Sequence, residues 1–430
     1  MGSIPRGQTA DGGAPARVAE TFRLEYGRVV ASVLRIVRDI DAAEEIVQEA
    51  FARALDHWPA GGPPERPGAW LLTTARRRAL DHLRRARRAG AHADALAYES
   101  ALDAIDEGPD VADPEEIPDD RLRLIFTCCH PGLPADSRVA LTLRLVGGLS
   151  TVEIARAFLV PEPTIAQRIV RAKKTLTEKQ VPFEVPGPSE LADRLASVLE
   201  VIYLIFNEGY TATAGDDWMR PGLCEDALRL GRILAELMPR EPEVHGLAAL
   251  MEIQASRLRA RTGAGGEPIL LLDQNRALWD RLLIERGLNA LQRAERLVEN
   301  GGEHGKYALQ AAIAACHARA PTADQTDWPC IVALYGELGR VTSSPVVELN
   351  RAVAVSMASG PQAGLDVVDA LIDEPALRDY HLLPSVRGDL LKKLGRVDEA
   401  RREFERAASM TRNTRERTLL LERASACERP

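Results

Sequence analysis

Residues 150–176, STVEIARAFLVPEPTIAQRIVRAKKTL, decide the fold class. Ser150 followed three residues later by Glu153 is a capping-box spacing, in which the hydroxyl and the carboxylate satisfy backbone donors left unpaired by the first turn. A helix therefore starts at Thr151. Val152, Ile154, Ala155 and Phe158 give it a core-facing side, and Val160-Pro161-Glu162-Pro163 breaks it, because proline lacks a donor and restricts the residue before it. In the helix that follows, Ile165, Ile169, Ala172 and Leu176 form a single apolar stripe, leaving Thr164, Gln167, Arg168, Arg171 and Lys174 on the opposite face. A major-groove reader requires such a helix-turn-helix: Arg donates in bidentate fashion to guanine and Gln to adenine, while Lys and Arg neutralise phosphates. The competing reading is an ordinary surface helix pair with a solvated basic face.

Working outward, residues 66–88, RPGAWLLTTARRRALDHLRRARR, carry eight arginines against one acid, Asp81. Trp70, Leu71, Leu72, Ala75, Ala79, Leu80 and Leu83 supply a packed side, so the arginines line the other. A charge run is usually a solvated face, yet an arginine-rich helix beside aromatics also suits single-stranded DNA, where phosphates meet cations and unstacked bases meet rings. Earlier still, DIDAAEEIVQEAFARALDHW at 39–58 is an acidic amphipathic helix, read on its own as solvated Glu44, Glu45, Gln48 and Glu49 around a core of Ile46, Val47, Ala50, Phe51 and Leu55.

These three segments, in this order, resemble the two domains of the extracytoplasmic-function sigma factors of bacterial RNA polymerase. The resemblance implies an all-α protein. It further implies that the acidic helix docks on the clamp helices of the largest polymerase subunit through Asp41, Glu44, Glu45, Gln48 and Phe51. The arginine helix and the loop before it would read and open the −10 element through Trp70, Thr73, Thr74, Arg76, Arg77 and Arg84. The helix-turn-helix would read the −35 element through Thr164, Gln167, Arg168, Arg171 and Lys174.

At 430 residues the chain exceeds the usual single-domain range, and each of several domains can bury its own core. A net charge of −8 argues against a whole-surface nucleic-acid binder, but the charge is sorted by segment: residues 121–180 hold ten Lys or Arg against four acids, whereas 93–120 hold eleven acids and no base. The six cysteines, at 128, 129, 224, 316, 330 and 427, show no CxxC pair or framework spacing. No apolar run reaches membrane-spanning length, and the start, MGSIPRGQTADGGAPA, lacks the apolar core of a signal peptide, so a reduced cytoplasmic location is expected. Cys128-Cys129-His130 does not supply a tetrahedral ligand set and reads as helix packing; no cofactor or metal is expected.

The expected organisation is a disordered tail at 1–16, a first helical module at 17–90, an acidic linker at 91–119 punctuated by Pro109, Pro114 and Pro118, and the helix-turn-helix module at 120–180. The linker's charge could solvate it or mimic DNA against a basic face. After KQVPFEVPGPSE, residues 190–427 are expected to be helical throughout, rich in Ala, Leu and Arg. The clearest unit there is RGDLLKKLGRVDEARREFERA at 387–407, whose Gly388, Gly395, Ala400, Phe404 and Ala407 sit at tetratricopeptide-like positions; one repeat upstream stand Ala352, Gly364, Val368 and Leu371, with no aromatic. Such tails bind peptides or proteins.

The whole chain, through LRLIFTCCHP, IYLIFNEGY, TDWPCIVALYGEL and SPVVELNRAVAV, resembles the long subgroup of that sigma family, with a tetratricopeptide-like extension. The resemblance implies that the extension regulates sigma activity in place of a separate membrane anti-sigma factor. Asn207, Glu208, Gly209 and Tyr210 read either as a loop touching the sigma domains or as a helix end with Gly209 as its stop and Tyr210 packed. An enzyme assembled from Glu208, Asp216, Asp217 and His245 lacks a nucleophile placed beside a base, and the sequence has no phosphate loop. A stand-alone helix-turn-helix regulator with a helical sensing domain needs neither the 39–58 helix nor the arginine helix, and a scaffold with incidental basic faces is the last alternative.

Overall fold

The computed structural model describes residues 13–61, 64–88, 116–212, 214–263, 265–299 and 305–427. The chain divides into two compact units, 1–201 and 202–430.

In the first unit, α1 (Gly13–Val37), α2 (Ile40–Gly61) and α3 (Pro67–Arg88) pack on one another. Val29, Val30 and Val33 from α1, Val47, Ala50 and Ala54 from α2, and Leu71, Ala75 and Ala79 from α3 are fully buried, the period-3.6 stripes that the sequence carries. Phe51 lies 6.2 Å from the Tyr26 ring. Leu55, expected in this core, is 50% exposed, because it falls on the flank of the α2 stripe. Then follow α4 (Glu116–Cys128), α5 (Ala135–Leu145), α6 (Thr151–Phe158) and α7 (Glu162–Glu178). Of the acidic segment 91–119, residues 116–119 already belong to α4; positions 91–115, like residues 1–12 of the tail, lie outside the described residues.

The helix-turn-helix forms as its spacing predicts. Ser150 caps α6 with both arms of the capping box present, and Leu159, at φ 49°, turns the chain into Pro161 ahead of α7. Ile165, Ile169, Ala172 and Leu176 are all buried. On α6 only Ile154 and Ala155 are buried; Val152, expected inward, is 38% exposed and Phe158 half-buried. Val152 lies about 160° round the helix from Ile154 and about 120° from Phe158, so it falls off their shared side. Cys128 and Cys129 are buried packing residues, and the Cys129 thiol sits 3.3 Å from the Thr142 hydroxyl.

Helix α8 (Pro188–Tyr210) carries the last residues of the first unit and the first of the second. The second unit continues with α9 (Pro221–Leu237), α10 (Pro242–Ala255), α11 (Arg281–Glu299), α12 (Lys306–Arg319), α13 (Trp328–Thr342), α14 (Pro345–Ser359), α15 (Pro361–Asp369), α16 (Leu382–Lys393), α17 (Val397–Met410) and α18 (Thr414–Ser425), most of them packing against the next in sequence. Helix α10 is buried over most of its length, and Gly246 lets it approach α12 so closely that a Cβ there would stand 2.6 Å from the Ala308 nitrogen. Among the described residues the protein is all-α apart from a two-residue parallel pair, Ala214–Gly215 with Arg412–Asn413, and a single bridge between Thr262 and Pro268. Buried Asn413 reinforces it by donating to the carbonyls of Ala212 and Asp217 at 3.1 and 2.8 Å.

Helices α16 and α17 form the expected hairpin. Gly395 turns it at φ +75°, Gly388 faces the Phe404 ring, and Ala400, Phe404 and Ala407 are solvent-free. Helices α14 and α15 repeat it with Gly360 at the turn, Gly364 against Ala352 and Ser356, and Val368 buried at the aromatic's place.

Candidate functional site

On α7 the residues opposite the apolar stripe face outward: Gln167, Arg171 and Lys174 are exposed and Thr164 half-buried. Lys174 stands 3.6 Å from Glu178, one turn on. Arg168 is tethered to Asp136 on α5 at 2.9 Å. Three long polar side chains along successive turns, at the N-terminal and middle part of a helix behind a tight turn, match what the major groove accepts.

Helix α3 buries Leu71, Leu72, Ala75, Ala79 and Leu80, and its described arginines divide between solvent and polar partners. Arg77 and Arg84 are exposed, Arg84 lying 3.3 Å from Asp81; Arg76 instead donates to the buried Ser32 hydroxyl at 2.9 Å, and Arg78 pairs with Glu49. Trp70 is half-buried, edge-on to Trp58 at 5.6 Å. Thr73 and Thr74 are half-buried beside it, Thr73 bonding back to Ala69. An aromatic at the head of an arginine helix offers a stacking platform followed by phosphate contacts.

The acidic face of α2 is divided. Asp41, Glu45 and Gln48 are exposed, whereas Phe51 is in the core and Glu44 is only 7% exposed. Glu44 accepts from the Tyr26 hydroxyl at 3.2 Å, from Arg144 Nε at 2.8 Å, and from Lys173. Lys173 also donates to Asp41 at 2.6 Å. Burial alone would pull the Lys173 ammonium down; hydrogen bonds to Asp41 and Glu44 outweigh it and hold its pKa above the usual lysine value. Burial, then the Glu44 charge, push the Tyr26 phenol up. Sequence reading missed Lys173, Arg144 and Tyr26. Lys173 lies beside the DNA-facing set on the same helix, and nothing in its local pattern says that it reaches a carboxylate 132 residues away.

Family models agree with these modules. Residues 21–89 match sigma-70 region 2, residues 123–176 match sigma-70 region 4, and residues 194–295 match a family of unknown function, DUF6596. The extracytoplasmic-function RNA polymerase sigma factor SigK of Mycobacterium ulcerans is 33% identical over 153 residues, 35% of this chain and 78% of its own length. The chain belongs to the extracytoplasmic-function sigma factors of the sigma-70 family. SigL of Mycobacterium tuberculosis, strain H37Rv, is 29% identical over 171 residues, 38% of this chain and 91% of its own. An uncharacterized protein of Rhizobium meliloti is 46% identical over 393 residues, 90% of each chain, so its similarity runs through the C-terminal extension. As a sigma factor the protein binds core RNA polymerase and promoter DNA, and it carries a helical extension after region 4.

Asn207, Glu208, Gly209 and Tyr210 form the last turn of α8 rather than a loop. Gly209 is not a helix stop: a Cβ there would meet the Cys224 nitrogen at 2.7 Å, so glycine serves close packing of α8 on the start of α9. Tyr210 is packed, as the second reading has it, stacked on Phe206 at 5.6 Å; Glu208 pairs with Arg220, and Asn207 is half-buried. Glu208, Asp216 and His245 are engaged with Arg220, Thr414 and the Pro239 carbonyl in turn. Among the described residues no helix is long and apolar enough to cross a membrane.

Proposed function

We propose that this sigma factor acts in the cytoplasm, contributes no chemistry of its own, and divides promoter recognition between its two modules. Region 2, taken as 17–90, docks through Asp41, Glu44, Glu45 and Gln48 on the clamp helices of the largest polymerase subunit, with Phe51 anchoring that face of α2 from the core side. It holds the −10 element with Trp70, Thr73, Thr74, Arg76, Arg77 and Arg84. Region 4, taken as 120–180 beyond the acidic linker 91–119, reads the −35 element through Thr164, Gln167, Arg168, Arg171 and Lys174. Phosphate contacts by the arginines position the complex and groove contacts choose the sequence. The extension at 190–427 is a regulatory module for a protein or peptide partner, with the 207–210 turn as part of its framework.

The observation that carries this reading is the exposed Gln167–Arg171–Lys174 row on a helix whose opposite stripe is entirely buried. Transcription reconstituted from core polymerase and this chain on a promoter library tests it: promoter-specific initiation is expected. Binding to DNA that only represses transcription by a complete holoenzyme would instead favour the stand-alone regulator.

A further inference from the structure

Within the first unit, region 4 sits on the very face of region 2 that carries the docking carboxylates. Beside the packing of α4 along α1, the contact has three further parts. Backbone packs on backbone: a Cβ on Gly27 of α1 would stand 2.6 Å from the Val146 carbonyl oxygen, and one on Gly148 would stand 3.2 Å from the Tyr26 Cβ. At its centre Glu44 takes donors from Tyr26, Arg144 and Lys173, while Asp41 takes the same Lys173. Along α1, Arg35 meets the buried Asp120 of α4 at 3.1 Å. Asp41, Glu44, Glu45 and Gln48 recur at three- and four-residue steps, so they share one face of α2, and the α7 lysine lies across the first two.

We propose that this closed arrangement is an autoinhibited state, in which Lys173 and Arg144 occupy the carboxylates that core polymerase would engage, so that closure and docking exclude one another. The inference rests on the docking role given above to the α2 face. Three features of the contact support a switch rather than a permanent core. Its centre is ionic and hydrogen-bonded, so a partner offering cations of its own can replace each bond without stranding a buried charge. Asp41 keeps 77% of its side-chain surface exposed, leaving an edge from which a partner can begin the exchange. The DNA-facing row of α7 lies off the contact, since Gln167, Arg171 and Lys174 stay exposed while Lys173 alone turns inward with 13% exposure. One helix thus holds a DNA-reading face and an inhibitory side chain at adjacent positions.

The energetics follow population shift: a chain competent in only a fraction of its molecules binds with an affinity reduced by that fraction. Lys173→Ala leaves Glu44 with Arg144 and Tyr26, so no buried charge is orphaned, while the bond to Asp41 disappears. It is expected to tighten binding of the full chain to core polymerase about tenfold, the gain if the open fraction rises from about one in ten toward unity.

The closed contact can be read directly by carbodiimide, which joins an amine to a carboxylate only when they touch. The free full-length chain is expected to give a Lys173–Asp41 or Lys173–Glu44 amide by peptide mass spectrometry, and saturating core polymerase is expected to suppress it. No amide in the free chain, an amide unaffected by bound polymerase, or a Lys173→Ala affinity equal to wild type would each overturn the proposal. Glu45→Arg, on the same face but outside the closed contact, separates the two levels. If it leaves polymerase binding unchanged, the docking role itself fails; if it weakens binding while Lys173→Ala brings no gain, autoinhibition alone fails.

Discussion

The guanidinium carbon of Arg261 lies 3.6 Å from the centroid of the Tyr210 ring, closing the end of α8 from above. The same guanidinium donates to the Tyr210 carbonyl and the Thr211 hydroxyl, both at 3.0 Å, and faces Trp218 at 5.6 Å. Burial lowers the Arg261 pKa below its ordinary value, the mark of a cation held by geometry rather than by a carboxylate. A desolvated cation–π contact contributes about 2 kcal/mol, and a planar fork that also donates from Nε to the Met219 sulfur at 3.2 Å cannot be replaced by an ammonium. Arg261→Lys should therefore destabilise the extension by about 1–3 kcal/mol, and Arg261→Ala by more. Thermal unfolding of the full chain checks this; a lysine variant as stable as wild type would show the fork to be dispensable.

The two helix hairpins differ in how tightly their glycines are held. A Cβ on Gly364 would fall 2.5 Å from the Ser356 Cβ and 2.8 Å from the Ala352 carbonyl, whereas one on Gly388 would stand 3.0 Å from the Phe404 ring edge. The nearest backbone to a Cβ on Gly388 is the Ala400 carbonyl at 3.2 Å, so less has to shift there than at Gly364, and helix propensity returns about 0.5–1 kcal/mol to either alanine. Gly364→Ala is expected to cost about 1–3 kcal/mol and Gly388→Ala distinctly less, read from denaturant midpoints.

What the sequence displayed was periodicity and capping, since both are local. The buried stripe Ile165–Ile169–Ala172–Leu176 and the Ser150–Glu153 box could be written down before any coordinates. The hairpin at 387–407 was legible because Gly388 and Phe404 belong to one short supersecondary unit. Contacts between distant segments left no such trace. Glu44 belongs by spacing to a solvated face, and only the tertiary arrival of Arg144 and Lys173 buries it. Gly209 followed an apolar run and so looked like a stop, but its cause is a close approach to Cys224 that no local rule encodes.

Ser150 makes the capping box testable on its own. Its hydroxyl accepts from the Glu153 amide at 3.2 Å while the Glu153 carboxylate accepts from the Ser150 amide at 2.8 Å. Ser150→Ala should cost about 1 kcal/mol and Ser150→Gly only a few tenths. Because α6 positions α7, affinity for −35 duplex should fall in the same order; equal loss in both variants would point to a role for the hydroxyl other than capping.

Lys174 meets only Glu178 of its own helix, whereas Arg168 is engaged within region 4 through Asp136 on another helix. That pair is solvent-exposed on the acid's side and holds the arginine only weakly. Asp136→Asn should release the guanidinium and remove a negative charge near the duplex, strengthening binding to −35 DNA a few-fold at low salt and less at high salt. Arg168→Ala with Arg171→Ala should abolish −35-dependent initiation and leave binding to core polymerase intact, with a shallower salt slope by about one to two phosphates. Loss of polymerase binding to the same extent would remove the −35 assignment.

His317 gives the extension an acid sensitivity whose sign can be worked out. The ring is buried, edge-on to Trp328 at 5.3 Å, and desolvation, then the charges of Arg257 and Arg276, depress its pKa to about 4. Arg276 is fixed there, donating to the carbonyls of His317 and Ala320 at 2.5 Å each, so the ring cannot exchange it for an acid. In the unfolded chain the imidazole titrates near its ordinary value of about 6.5. Above that value both states are neutral and stability is complete. As pH falls from about 6.5 toward 4 the unfolded state takes up the proton and the folded state does not, so stability is lost across that window, by about 2 kcal/mol at pH 5. His317→Gln removes the linkage; His245, whose pKa burial also lowers, remains in both proteins and cancels in the comparison. Chemical denaturation of the two chains at pH 7.5 and pH 5 should show the wild type losing the larger share, and equal losses would mean that His317 is not held neutral in the folded extension.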